Sequence, residues 1–153
     1  MIRFQMDLMR AAKRRDAGSV KPFNYYYCEF EKDVAITDGY SIKIIDKKDL
    51  YIDIEKVFQG KTFKCEEMVK DRLNAVALKL KKKIVKGKDV ILCLESYYGK
   101  TVYINEKFVK PNNPEFVTFK LGTGYNDCIV HLEDPFDNYL GCVLIIKNFN
   151  EED

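Results

Sequence analysis

The dipeptide Asp38-Gly39, set between Val34-Ala35-Ile36-Thr37 and Tyr40-Ser41-Ile42-Lys43-Ile44, constrains this chain more than any other feature. Both flanks favour extended backbone, and Asp-Gly accepts the positive φ that a tight turn between twisted strands requires. A hairpin is expected there. The run Tyr25-Tyr26-Tyr27-Cys28-Glu29-Phe30 precedes it and extends the hairpin into an antiparallel meander from Tyr25 to Ile45. Strand alternation predicts Tyr26, Cys28 and Phe30 on the buried side. Tyr25 and Tyr27 then face outward, as a candidate protein-contact surface or a stacking platform for single-stranded nucleic acid.

Around the meander the chain reads as helix and strands, twice. Ile2-Arg3-Phe4 has the pattern of a short strand, followed by a helix with Leu8, Ala11 and Ala12 inward and Arg10, Lys13 and Arg14, with Arg15, on the other side. The helix is expected to stop over Asp16 to Ser19, before Lys21-Pro22. Leu50 to Ile54 alternates like a strand, and Gln59-Gly60-Lys61 reads as a joint between halves. From Cys65 to about Lys83, Val69, Leu73, Val76, Ala77, Leu80 and Ile84 recur at helical spacing. Glu66 and Glu67 at its start and Lys79, Lys81, Lys82 and Lys83 at its end suit a helix dipole.

Five strand-like runs follow, over 90–95, 101–109, 116–121, 127–133 and 140–149, separated by turn signals at Tyr98-Gly99, Pro111-Asn112-Asn113-Pro114, Gly122-Thr123-Gly124 and Asp134 to Asn138. Without regular βαβ alternation, the expected fold is α+β, with two helices packed on one face of a largely antiparallel sheet. A length of 153 residues suits a single domain over 1–149, with halves of about 1–59 and 60–149 and a frayed acidic tail over 150–153.

Composition narrows the function classes. Charged residues make up 33% of the chain, yet the net charge is only +2, so any attraction to a polyanion depends on how the cations are grouped. Five scattered cysteines without a CxxC pair fit reduced thiols in a cytoplasmic protein. No segment approaches the run of about 18 apolar residues that a membrane span needs.

Two stretches resemble a known family. VAITDGYSIKI, after a strand of the YYYCEFE kind, resembles the ATDG-type hairpin of the bacterial sliding DNA clamp, the polymerase processivity ring, and CIVHLEDPFDNYLGCVLIIKNF is similar to the last two strands of a clamp subunit. Ser41 stands where that hairpin usually has arginine, and Leu144 to Lys147 replaces a methionine- and proline-containing ending. The resemblance implies helices that face DNA, sheets that face outward, and self-association, because one domain is less than a clamp subunit. It implies a non-enzymatic role as a replication accessory or processivity factor, with double-stranded DNA and replication proteins as partners.

The residues expected to touch the DNA backbone are Arg10, Lys13 and Arg14 on the first helix and Lys70, Lys81 and Lys82 on the second. A protein-interaction module without DNA binding is the alternative. Catalytic signals are weak. Gly60-Lys61-Thr62 and Gly99-Lys100-Thr101 lack the earlier glycine of a phosphate loop, since Glu55 and Leu94 occupy its place. His131 is the only histidine, with Glu133 two residues along the same strand face, and an exposed polar face accounts for the pair better than a hydrolase does. No cofactor and no metal site are expected, because one histidine and dispersed cysteines offer no ligand set.

Overall fold

The computed structural model describes residues 2–110 and 116–152, so the turn expected at Pro111 to Pro114 lies outside the described residues. The described chain is α+β, with three α-helices and nine strands, every strand pair within each unit being antiparallel. It divides into two compact units, Met1–Cys65 and Glu66–Asp153.

In the first unit the meander forms as expected: β1 (Tyr26–Glu29), β2 (Asp33–Thr37) and β3 (Ser41–Asp46) pair in chain order. The Asp38 carboxylate accepts hydrogen bonds from the amides of Tyr40 and Ser41, both at 2.8 Å, while Gly39 takes a φ of 94°. Aspartate therefore caps the turn and glycine supplies its left-handed residue. Against the meander packs α1 (Ile2–Asp16), through Leu8 and Ala12 onto Val34, Ile36 and Ile45. The strand expected over Ile2 to Phe4 is instead the first turn of α1, because the inward face continues back to a buried Gln5. That side chain replaces a missing strand pairing: it donates to the Asp49 carbonyl at 2.8 Å and accepts from the Tyr51 amide at 2.6 Å.

Leu50 to Ile54 is not a strand either. Asp53 accepts from the Lys56 amide and caps α2 (Ile54–Phe58), which ends at Gln59 in the left-handed region. A capping aspartate outweighs a short alternation. Phe58 is fully buried among Phe23 and Tyr27, and Arg15 donates to the carbonyls of Lys56 and Val57 at the end of α2.

The second unit holds the largest departure. The helix expected over 65–83 ends at Asp71 as α3 (Glu66–Asp71), and Val76–Lys86 is an eleven-residue strand, β4. The same apolar positions serve both periods: Val76, Leu78 and Leu80 alternate with Ala77, Lys79 and Lys81. Pairing with the apolar run of β5 (Asp89–Ser96) selects the strand, a tertiary preference that overrides helical spacing. No second long basic helix exists among the described residues. The unit continues with β6 (Thr101–Asn105), β7 (Thr118–Leu121), β8 (Ile129–Glu133) and β9 (Tyr139–Leu144), in spatial order β9-β8-β7-β4-β5-β6. Its core gathers Leu92, Leu94, Ile104, Val109 and Val130, all without exposed surface.

Truncating Phe58 to alanine removes a fully buried ring packed against Phe23 and Tyr27, and its cost is expected at about 3–5 kcal/mol. Urea unfolding followed by tyrosine fluorescence checks this.

Candidate nucleic-acid interface

The run that breaks alternation in β4 is Lys81-Lys82-Lys83, and a β-bulge between Leu80 and Lys82 accommodates it. Before the bulge Lys79 lies opposite Glu95; after it Lys82 lies opposite Cys93, which lies opposite Tyr103 on β6. Alternate residues of β5 share a face, so Lys79, Lys82, Glu95, Cys93, Thr101 and Tyr103 stand on one side of the β4-β5-β6 sheet. Leu80, Leu92, Leu94, Val102 and Ile104 stand on the other, in the core.

Among the described residues, β7 pairs only with Val76 to Leu78, so from Lys79 onward β5 is the strand partner of β4. A groove of about 620 Å³ lies here, lined by Leu78, Lys79, Leu80, Lys81, Glu95 and Tyr97, among others. Lys81 pairs with Glu95 at 3.0 Å, a contact that pushes its ammonium pKa up and keeps it charged. Tyr97 is 88% exposed and meets Tyr98 edge to face at 5.2 Å. Lysines and an exposed aromatic lining one groove suit a polyanionic strand carrying flat bases.

The expected backbone contacts separate into three places. Arg10, Lys13 and Arg14 are exposed on α1 in the first unit, with Arg10 held to Asp7 at 3.3 Å. Lys70 is exposed on α3, while Lys81 and Lys82 belong to β4 and not to a helix. The stacking surface expected at Tyr25 and Tyr27 is corrected. Both rings are half-buried against the α1 core, Tyr27 5.0 Å from Phe58 and Tyr25 5.3 Å from Phe23, whereas Tyr26 is exposed. The register explains this: Tyr27 lies opposite Ile36, which faces α1, and both faces of the meander carry buried residues, so period alone does not choose the inner one.

His131 is not on an exposed face, and its carboxylate is not that of Glu133. It is fully buried on β8, with Nε2 2.8 Å from Asp71 Oδ2 and Nδ1 2.6 Å from the Tyr139 hydroxyl. Asp71 also accepts from the Thr123 amide at 3.2 Å and from its hydroxyl at 2.5 Å. Burial raises the Asp71 carboxyl, but the hydrogen bonds from Thr123 and His131 outweigh it and hold the pKa below the ordinary value. Burial pushes the His131 imidazole down against the opposing pull of Asp71. The consistent state is a neutral imidazole that donates through Nε2 to the Asp71 carboxylate and accepts through Nδ1 from the Tyr139 hydroxyl. Gly122 is required beside it, since a Cβ there would meet the Asn126 carbonyl oxygen at 1.9 Å and Asp71 Oδ2 at 2.9 Å.

Sequence spacing missed Asp71 because it sits in a different element, 60 residues from His131. Glu133 instead pairs with Lys120 at 3.1 Å. The network satisfies its own polar atoms in a buried position, the pattern of a structural tie. No group of three or more histidine, cysteine or acidic side chains is arranged to hold a metal ion among the described residues.

These shifts fix a pH dependence. The folded chain resists protonating His131, whereas the unfolded chain takes up that proton below about pH 6.5. Stability from His131 is therefore present above that value and lost as pH falls toward the lowered folded pKa, with Asp71 adding a second loss in the carboxylate range. Because the chain has a single histidine, H131Q should flatten the decline just below neutrality, as read by urea midpoints across pH. D71N should cost about 3 kcal/mol, because it leaves buried donors without their anionic acceptor.

No protein-family model, no curated protein and no solved structure matches the chain significantly.

Proposed function

We propose that the chain is a non-enzymatic DNA-binding domain that holds the phosphate backbone without reading sequence, as an accessory to replication of the kind that the clamp resemblance implies. The observation that carries this reading is the groove along β4, which Lys79, Lys81 and the exposed ring of Tyr97 all line. Lysines along a strand also discourage its pairing with another chain. That role needs one or two charges. Lys79, Lys81, Lys82 and Lys83 are all exposed within five positions, and Lys88 follows in the turn after β4. The exposed Arg10, Lys13 and Arg14 of α1 supply a second set of phosphate contacts.

Binding of this kind releases counterions and weakens steeply with salt. K79A/K81A should lower the affinity for a fluorescent duplex at low salt and reduce the slope of log affinity against log salt by about 2, with little change in melting temperature because both side chains are exposed. R10A/K13A/R14A should act in the same direction through the first unit. Anisotropy titrations across a salt series measure both; binding that is equal in wild type and both variants would sink the assignment.

A second reading rests on α1. Ile2, Met6 and Met9 are 60%, 43% and 41% exposed and recur at helical spacing on its outer side, a stripe suited to another protein. Under that reading M6S/M9S, which adds no charge beside Arg10 and Lys13, abolishes a protein contact and leaves DNA retention unchanged.

A further inference from the structure

The segment that follows β9 turns across the lysine-bearing face of β4-β5-β6. The Ile146 amide donates to the Tyr103 carbonyl at 2.8 Å, and Asn148 takes a left-handed φ of 56° that redirects the backbone. The Phe149 ring then lies 4.6 Å from the Tyr103 ring, and Lys86 Nζ stands 5.8 Å from the Phe149 centroid. Two residues on, Glu151 accepts from Lys82 at 2.8 Å and from the Tyr103 hydroxyl at 2.9 Å. An aromatic ring packed against tyrosine at a tilt of 42°, followed by an anion gripped by lysine, presents the two chemical features of a nucleotide unit, a flat base and a phosphate.

This contact adjoins the groove. Lys82 follows Lys81 in sequence, and the bulge that turns Lys82 onto this face puts it in line with Lys79 and Glu95. The acidic residues at the end of the described chain are thus docked, not frayed, at Glu151. We infer that Ile145 to Glu151 is an intramolecular competitor, which covers Tyr103, Lys82 and Lys86 until a single-stranded nucleic acid displaces it and extends from the groove across the three-stranded face.

The inference rests on the DNA-binding reading and adds to it a displaceable strap and a preference for single strands. Such a strap is weakly held by design of its chemistry. Its ion pair is exposed, with Lys82 and Glu151 side chains 49% and 34% accessible, so polyanions and salt both compete with it. Lys82 and the Tyr103 hydroxyl hold the Glu151 carboxyl below its ordinary pKa. The carboxylate's contribution to docking is therefore present at neutral pH and fades as pH falls through that lowered value.

The experiment uses the full chain and a fluorescent oligothymidylate of about 16 nucleotides. E151Q and F149A/E151Q should each bind it more tightly than wild type at low salt, the double variant by about tenfold, and the gain of E151Q should vanish in a K82A background. E151Q changes one exposed group, so it tests the contact without endangering the fold. Equal or weaker binding by the variants, with wild type binding measurably, overturns the strap and leaves the DNA-binding reading intact. If neither wild type nor variants bind oligothymidylate or duplex at low salt, both fall together.

Discussion

Strand pairing along Val76–Lys86 is the constraint on which the second unit depends. Eight of the eleven residues of β4 pair with β5 and its first three pair with β7, Leu78 with both, so one strand joins the β4-β5-β6 hairpins to β7-β8-β9. A helix over the same residues would satisfy its own backbone and leave both groups without a shared member. Because the ladder needs Leu80 opposite Leu94 in the core, the following lysine run must be fitted around it. The bulge is the consequence, and it assigns each lysine its side of the sheet.

This explains why the meander of the first unit was legible in the sequence and the start of the second unit was not. In the meander, local chemistry and tertiary structure agree: Asp38-Gly39 demands a turn, and the flanking residues demand strands. In β4 they disagree. Val69 to Ile84 keeps helical spacing while also alternating after Val76, and only the partner β5, contributed from beyond Gly87, decides between them. The later strands were visible because their short β-rich runs, set between turn signals, have no helical competitor. Burial at Tyr25 to Tyr27 was misjudged for another reason: when both faces of a sheet carry buried residues, alternation identifies a strand but not its inner side.

The candidate site was legible as composition and illegible as geometry. Lys81 and Lys82 stood out by density, but their roles differ by the one-residue offset of the bulge, Lys81 pairing with Glu95 and Lys82 with Glu151. The histidine shows the same limit. His131 and Glu133 are neighbours on one strand, yet the acid that matters comes from α3, where Asp71 closes the helix and turns its carboxylate to Thr123 and the imidazole. A side chain that reaches across elements leaves no periodic trace.

The two polar centres of the second unit differ in what their burial permits. Asp71, His131 and Tyr139 satisfy one another inside the protein, and separating them would strand buried polar groups, so they act as a fixed tie. Lys82, Tyr103 and Glu151 meet where water still reaches, and Lys82 and Tyr103 have equivalent partners available in a phosphate and a base. Exchange of one anion for another at such a place costs little, because Lys82 keeps a counter-charge and the displaced Glu151 carboxylate is released into water. The position of the bulge therefore carries a functional consequence beyond accommodation: by turning Lys82 outward beside Tyr103, it creates the only lysine of β4 that the segment after β9 grips through a carboxylate among the described residues, and that pairing is of the reversible kind.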